Sequence, residues 1–558
     1  MGGVANTPVF AGVDAKSLDI QQDGITLNKA RYNSGLLAGA RINPSQVREF
    51  RAVQSAVDAE RDRASESMEE YMRQRRIWKP AHPAFNSNTE GYAPIQDNPF
   101  LEVVQNPLST FSVDVDTASY ANVRRFLEQS QLPPRDAIRI EELVNYFDYD
   151  YKGPGREGPF AAHFEMTEAP WNSEHRLLRI GLKAKVIEDK ERPKTNLVFL
   201  IDVSGSMSDR NKLPLVQDAM HMLVDRLTEN DRVSIVTYAG STRVELPSTR
   251  GDRKWEIHRA IDRLRSGGST AGASGIQLAY ETAARNFIKD GANRVILATD
   301  GDFNVGVTNH GDLARLIEEK AESGVFLSAL GFGMGNYKDD TLELLADKGR
   351  GNYAYIDTIE EARKVLVEQI NATLVSVAKD VKIQVEFNPE QVAAYRLLGY
   401  ENRIMAKEDF NDDTKKAGVI GAGHAVTALY EIVPAGQPVP SSGVDPLKYQ
   451  KPVETTTAAS SDETGTVKVR YKDPDGEESR LMQFAVRDSG RKFDKASNDF
   501  KFAASVAAFG MVLRDSPYKG GANLEDALDW AREGQGEDAH GYRAEFIRLV
   551  HRAISIKE

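Results

Sequence analysis

The chain has 558 residues, 41% of them apolar and 28% charged, with 71 Lys and Arg against 83 Asp and Glu for a net charge of −12. That acidic balance argues against a general nucleic-acid role, since a phosphate backbone asks for a basic footprint; the absence of cysteine excludes disulfides, thiolate catalysis and zinc–thiolate sites. A prior of roughly one domain per ~150 residues predicts three or four domains, and no apolar run approaches the ~18 residues of a membrane-spanning helix.

The first residues, MGGVANTPVFAG, have neither the basic region nor the apolar core of a signal peptide. Residues 1–44 read as loosely ordered. Residues 44–75 are helix-prone and highly charged, with a thin apolar stripe of Val47, Phe50, Val53 and Val57. The four prolines between 78 and 100 mark an extended linker. Residues 1–95 thus form a first segment. The span 96–150 reads as a short helical flanking domain: a strand followed by two amphipathic helices separated by Pro133-Pro134. Within 151–194, FAAHFEMTEAP and HRLLRIGLKAK alternate apolar and polar residues, as half-buried antiparallel strands do.

From 195 to 377 the pattern changes. Strands that are apolar throughout (NLVFLID, RVSIVTYA, RVILATD, VFLSALGF, NYAYID) alternate with helices near 213–228, 252–265, 273–289, 310–323, 339–348 and 358–376, with a short VEL strand as well. Apolar strands separated by helices imply a mostly parallel sheet covered on both faces. Alternating strands return over 378–490, interrupted by a Pro-, Ser- and Thr-rich stretch at 434–465 that reads as a long loop, and 491–558 reads as helical. The expected fold is therefore α/β: a doubly wound, mostly parallel sheet inserted into an antiparallel β-sandwich, with helical N- and C-terminal segments.

The stretch FLIDVSGSM ends a buried strand in Asp202 and follows it with Ser204 and Ser206. SGGSTAGASGIQLAY places Thr270 in a glycine-rich loop before a helix, and RVILATDGDFNVG places Asp300 at the end of another buried strand. In a doubly wound sheet, ligands bind outside the carboxyl ends of the strands, where strand order reverses. Two carboxylates and three hydroxyls, with no His or Cys, suit a hard cation: Mg²⁺, with Ca²⁺ and Mn²⁺ as alternatives. Taken singly, Ser204 and Ser206 are also good helix N-caps, and Thr270 and Asp300 ordinary turn residues.

DVSGSM, SGGSTAGASGIQLAY and LATDGDFNVG together resemble the von Willebrand factor type A domain and its metal-ion-dependent adhesion site. The matching positions are Asp202, Ser204, Ser206, Thr270 and Asp300. NPLSTFSVDVDTASYANVRRFL, GFGMGNY and KDVKIQVEFNP resemble flanks of bacterial proteins of this class, so the likeness covers about residues 96–555. The resemblance implies a non-enzymatic, metal-dependent adhesion protein whose partner supplies an Asp or Glu carboxylate to the ion. It also implies a place in the periplasm or at the cell surface, exported or lipid-anchored. In such domains the last helix, here 358–376, can slide when the ligand set changes.

Two other readings remain at this point. The charged N-terminal helix could bind a partner, making the chain a structural or assembly factor. DVDTASY resembles the start of a haloacid-dehalogenase-type phosphotransferase with Asp114 as nucleophile, but position 118 is Ala where that pattern wants Thr or Val. Asp116 or Thr117 reads more simply as the cap of a helix beginning near Ala118. No histidine pair for zinc hydrolysis and no nucleophile elbow occurs, so no catalytic residue is assigned. Oligomeric state is not written in the sequence.

Overall fold

The computed structural model describes residues 21–22, 25–26, 90–155, 158–268, 272–301, 310–440 and 455–558. Residues Met1–Asn86 form a unit of their own, in which two antiparallel two-residue strands, Gln21–Gln22 and Ile25–Thr26, are described. The expected helix at 44–75 lies outside the described residues.

The second unit, Ser87–Glu558, opens with strands β1 (Leu101–Glu102) and β2 (Leu108–Ser112), helices α1 (Ala118–Glu128) and α2 (Ile140–Asn145), and the hairpin of β3 (Phe160–Ala169) and β4 (Asn172–Ala184). The α/β region follows: β5 (Thr195–Asp202), α3 (Leu213–Arg226), β6 (Arg232–Tyr238), β7 (Thr242–Arg250), α4 (Lys254–Asp262), α5 (Gly272–Arg285), β8 (Ala292–Thr299), α6 (His310–Ala321), β9 (Val325–Phe332), α7 (Asp339–Lys348), β10 (Tyr353–Ile356), α8 (Ile359–Arg363) and α9 (Ile370–Leu374). Then come β11 (Ser376–Phe387), β12 (Val392–Leu398), β13 (Gly418–Gly421), β14 (Ala425–Pro434), β15 (Glu463–Lys472), β16 (Ser479–Arg487) and helices α10 (Asn498–Arg514), α11 (Leu524–Gly534) and α12 (Tyr542–Lys557). Part of the expected loop at 434–465, residues 441–454, lies outside the described residues.

The α/β region builds one six-stranded sheet in the order β10-β9-β8-β5-β6-β7, parallel except for the edge strand β7. Every residue of β5 is buried. Its side chains alternate between two cores, as the two-residue period of a strand requires. Leu197, Phe199 and Ile201 join the core under α3 and α4, while Val198 and Leu200 join the core under α5 and α7. An apolar run is what a strand covered on both faces needs. α1 finishes the second core with Ala118 and Ala121, and turns Tyr120, Val123 and Leu127 toward α10 and α12. It is the shared wall between the sheet and the C-terminal helices.

Early and late strands combine in two five-stranded antiparallel sheets: β1-β12-β14-β4-β3, and β13-β11-β15-β16 with β2 also on β11. Residues of both, such as Phe111, Ile180, Val385, Tyr430 and Val467, share one hydrophobic core.

Two expectations are corrected. The helix expected over 358–376 is broken into α8, a π-helical turn at Lys364–Glu368, and α9. The wide turn accommodates Lys364, which is buried, donates to the Tyr146 carbonyl at 2.5 Å and lies over the Tyr146 ring. The capping of α1 by Asp116 or Thr117 also fails. Thr117 holds the cap position without a side-chain hydrogen bond. Asp116 instead accepts the Tyr353 amide at 2.7 Å, and the free first-turn amide of Ser119 donates to the distant Glu142 carboxylate at 2.7 Å.

Candidate metal centre

Strand order reverses between β8 and β5: the chain steps from β5 to β6 on one side and later returns to β8 on the other. The carboxyl ends of β5 and β8 therefore lie side by side, with Ala298 paired to Ile201. Asp202 ends the first strand and Asp300 follows the second, and both are completely buried.

The loop after β5 is shaped by its own hydrogen bonds. The Ser204 amide donates to Asp202 Oδ1 at 2.8 Å, and the hydroxyls of Ser204 and Ser206 meet at 3.0 Å. Ser206 also bonds Asp300, which joins the two loops. Ser204 is buried and Ser206 is exposed, so the oxygen cluster opens to solvent on the Ser206 side. Neither hydroxyl is used as a helix cap. Ser204 precedes a 3₁₀ turn without a side-chain cap bond, and α3 begins after Lys212, also without one. The capping reading of these serines therefore has no geometry behind it.

Thr270 lies outside the described residues. The segment just before it is stitched to the Asp202 loop: the Gly267 amide donates to the Val203 carbonyl at 2.7 Å, and the Gly205 amide to the Gly268 carbonyl at 3.0 Å. α5 starts directly after that loop and presses close to β6. A Cβ on Gly275 would come within 2.9 Å of Tyr238, so only glycine lets the helix sit there.

Three residues complete the surroundings that sequence reading did not single out. Thr299 donates its hydroxyl to Asp202 Oδ2 at 3.0 Å and accepts the Gly301 amide at 3.0 Å. The Lys212 ammonium donates to Asp300 Oδ2 at 3.0 Å and to Asn336 Oδ1 at 2.9 Å. Asn336 in turn donates to Asp300 Oδ2 at 3.0 Å. Asn336 belongs to the GFGMGNY turn after β9. Gly333 in that turn has φ +81°, and a Cβ there would strike the Lys212 stem at 2.3 Å. Glycine thus makes room for the lysine. Nothing in the sequence around Lys212 marks it as a partner of Asp300.

The two carboxylates are shifted in opposite directions. Burial pushes Asp202 up to about 6, the charge of Asp300 adds to this, and hydrogen bonds from Ser204 and Thr299 resist it. Burial would raise Asp300 as well, but Lys212, Asn336 and Ser206 together outweigh it and hold Asp300 below the usual aspartate range. Two carboxylates and two hydroxyls from separate loops thus meet with no nitrogen or sulfur ligand among them. That donor set fits a hard divalent cation. Lys212 offsets one of the two negative charges, leaving the cluster acidic.

A family profile described as "von Willebrand factor type A domain" matches residues 196–373, one described as "von Willebrand factor" matches 86–179, and one described as "Uncharacterized protein YfbK, C-terminal" matches 372–556. The chain is 45% identical to the Escherichia coli K12 protein of that last name, "Uncharacterized protein YfbK", over 487 residues, 86% of this chain and 84% of that one. It is 29% identical to mouse inter alpha-trypsin inhibitor, heavy chain 4, over 54% of this chain and 32% of that protein. A solved von Willebrand factor type A protein from Catenulispora acidiphila is 18% identical, with a TM-score of 0.39, over 71% of this chain and 91% of that one. By sequence, and with a doubly wound sheet where the family profile falls, the chain belongs to the YfbK-like family of bacterial proteins built around a von Willebrand factor type A domain.

Proposed function

We propose that this protein binds a protein partner through a divalent cation, Mg²⁺ before Ca²⁺ or Mn²⁺, that Asp202, Ser204, Ser206, Thr270 and Asp300 would hold, and that an Asp or Glu of the partner completes its ligand set. Von Willebrand factor type A domains serve broadly in protein interaction and adhesion. The observation that carries the metal-dependent reading is the use of Ser204 and Ser206. Ser204 holds a cap position without a side-chain cap bond, the two hydroxyls meet each other, and Ser204 bonds Asp202 while Ser206 bonds Asp300 at the sheet edge. A bound cation would supply an electrophilic anchor. The chain's own part is to hold the carboxylates, with Thr299 and the Ser204 amide orienting Asp202, and Lys212 and Asn336 orienting Asp300.

The two antiparallel sheets are read here as one β-sandwich that carries the α/β module, with α1 and the C-terminal helices fixing its orientation. Among the described residues no helix is long and apolar enough to cross a membrane. A location in the periplasm or at the cell surface rests on the family resemblance. A phosphotransferase role for Asp114 has little room. That residue is buried, Oδ1 accepts the Asp116 amide and Oδ2 accepts Arg403 Nε.

The test is thermal unfolding of the whole chain with Mg²⁺ against EDTA, alongside capture of partners under both conditions. A ligand at a hundred times its dissociation constant stabilises the folded state by about 2.7 kcal/mol. Asp202→Ala is expected to abolish that gain and the Mg²⁺-dependent capture. A Mg²⁺ shift undiminished in Asp202→Ala would remove this site, and capture indifferent to EDTA would remove the metal from the interaction.

A further inference from the structure

Away from the Asp202 edge, α3 and α4 pack side by side over the sheet, joined inside by Val216, Met220, Ile257 and Ile261. On their outer side lies a second group of side chains. His221 of α3 and His258 of α4 face one another, with their Nδ1 atoms 2.5 Å apart. Each ring reaches across to a carboxylate of the opposite helix: His221 Nε2 to Asp262 Oδ1 at 3.1 Å, and His258 Nε2 to Asp225 Oδ1 at 2.9 Å. The spacing is symmetric. Asp225 stands four residues after His221 and Asp262 four after His258, so each helix presents one His and one Asp on a single face.

The carboxylates decide the tautomers. An ionised carboxylate only accepts hydrogen bonds, so each Nε2 must carry the proton. In the neutral rings both Nδ1 atoms are then bare lone pairs, and they point at each other. Two acceptors at that separation repel unless positive charge lies between them. An imidazole whose far N–H is held by a carboxylate is the arrangement that orients histidine toward a metal and raises its basicity. The two aspartates add two negative charges beside the gap, which a divalent ion balances better than one shared proton.

We propose that His221 and His258 form a second metal site, for a borderline divalent ion such as Zn²⁺, Cu²⁺ or Ni²⁺, with Asp225 and Asp262 as the carboxylates that fix the ligand nitrogens. Imidazole suits these ions, whereas Mg²⁺ keeps to oxygen, so the two sites select different metals. Zinc–nitrogen bonds of about 2.0–2.1 Å in tetrahedral geometry place the two nitrogens about 3.3 Å apart. The rings therefore separate by less than an ångström on loading. Both rings are partly exposed, at 28% and 27%, which leaves them free to make that rotation and leaves the ion's remaining positions open to water or a partner's side chain. The ion would also staple α4 to α3.

The experiment is calorimetric titration of the full chain with Zn²⁺ in saturating Mg²⁺, followed by electron paramagnetic resonance of the Cu²⁺ form. One ion per chain is expected, with hyperfine structure from two nitrogens. His221→Gln and His258→Gln should each weaken Zn²⁺ binding at least tenfold and reduce the nitrogen pattern, and Asp262→Asn should weaken it roughly tenfold. Asp202→Ala, which removes the oxygen site, should leave Zn²⁺ binding unchanged. The proposal is overturned if the His221→Gln/His258→Gln double variant binds Zn²⁺ as well as the parent. It is equally overturned if the parent binds none and nuclear magnetic resonance finds one proton shared between the two rings.

Discussion

Two of the places where the protein buries acidic side chains treat them in opposite ways. Beneath α1 and α7, Asp114, Asp116, Glu142, Asp339 and Glu343 surround two guanidinium groups. Arg139 bridges Asp339 at 2.6 Å, Glu343 at 2.8 Å and Glu142 at 3.2 Å; Arg403 bridges Asp114 at 3.0 Å and Glu343 at 3.2 Å. Oxygens of Asp114, Glu142 and Glu343 come within 4.8 Å of one another, close enough to look like a metal site. Yet Arg139 and Arg403 already fill the cluster with rigid, permanently charged forks. At the carboxyl ends of β5 and β8 the neighbours of Asp202 and Asp300 are neutral hydroxyls and amides and a single ammonium, and one member of the group, Ser206, is exposed. Proximity of carboxylates does not distinguish a structural knot from a receptive site; the charge and rigidity of what already satisfies them does.

The sharpest way to break this contrast is to remove one cation from the knot. Arg139→Met would take the guanidinium away from three buried carboxylates, of which Arg403 still reaches only Glu343, and losing one partner of a buried ion pair costs about 3–5 kcal/mol. Urea unfolding should show that loss. Asp202→Asn in EDTA at neutral pH should instead be neutral or stabilising, because it removes a buried charge that only a cation would offset. Equal losses for the two variants would erase the distinction.

The next effect lies in pH. Folded Asp202 titrates near about 6, against about 3.9 for an unfolded aspartate. Between those values the folded state keeps a proton that the unfolded chain has released, so the contribution of Asp202 to stability without metal is fully present below about pH 4 and is lost as pH rises to about 6, by about 3 kcal/mol. Asp300, held low, acts in reverse: its contribution is present above the usual aspartate pKa and is lost as pH falls through its own depressed value. The difference in stability between the parent and Asp202→Asn in EDTA, followed across pH, should isolate the first term. Mg²⁺ affinity should climb about tenfold per unit below about pH 6 and level off above it, since the cation needs the ionised form.

Two smaller changes sharpen the site itself. Lys212→Met removes the charge that competes for Asp300, so Mg²⁺ affinity by calorimetry should rise about tenfold, or about 1.4 kcal/mol, while the metal-free protein loses stability. Thr299→Val withdraws one hydrogen bond from Asp202 and should cost about 1 kcal/mol of stability, with Mg²⁺ binding weakened a few-fold.

Much of this was legible in the text of the chain because it rests on periodicity. The apolar runs of β5, β8 and β9 announce strands covered on both faces, and their last residues fix which loops share an edge. The edge strand β7 was read short, as VEL, and runs from Thr242 to Arg250. Pro247 looks like a stop, but an edge strand tolerates proline because one side needs no donor. Lys212, Asn336 and Glu142 were not legible in their roles, since each acts on a residue 88, 36 and 23 positions away, respectively, and no local pattern records such a meeting. The broken helix after β10 was missed for a related reason: its widened turn answers to Tyr146, on another element.

The α/β module leaves the antiparallel frame after β4 and rejoins it at β11, and the two junctions are fastened together. Asn371 donates to the Ile187 carbonyl at 3.1 Å, the Gly423 amide to Lys185, and the Ala422 amide to Val375. Both tethers thus lie behind the amino ends of the strands, with Asp202 at the far end of β5. A pull on the Asp202 and Asp300 end would draw β5 and β8 lengthwise together, loading the ladders to their outer neighbours β6 and β9 in shear instead of peeling them rung by rung. Shear of that kind shares a pull among all the rungs of a ladder.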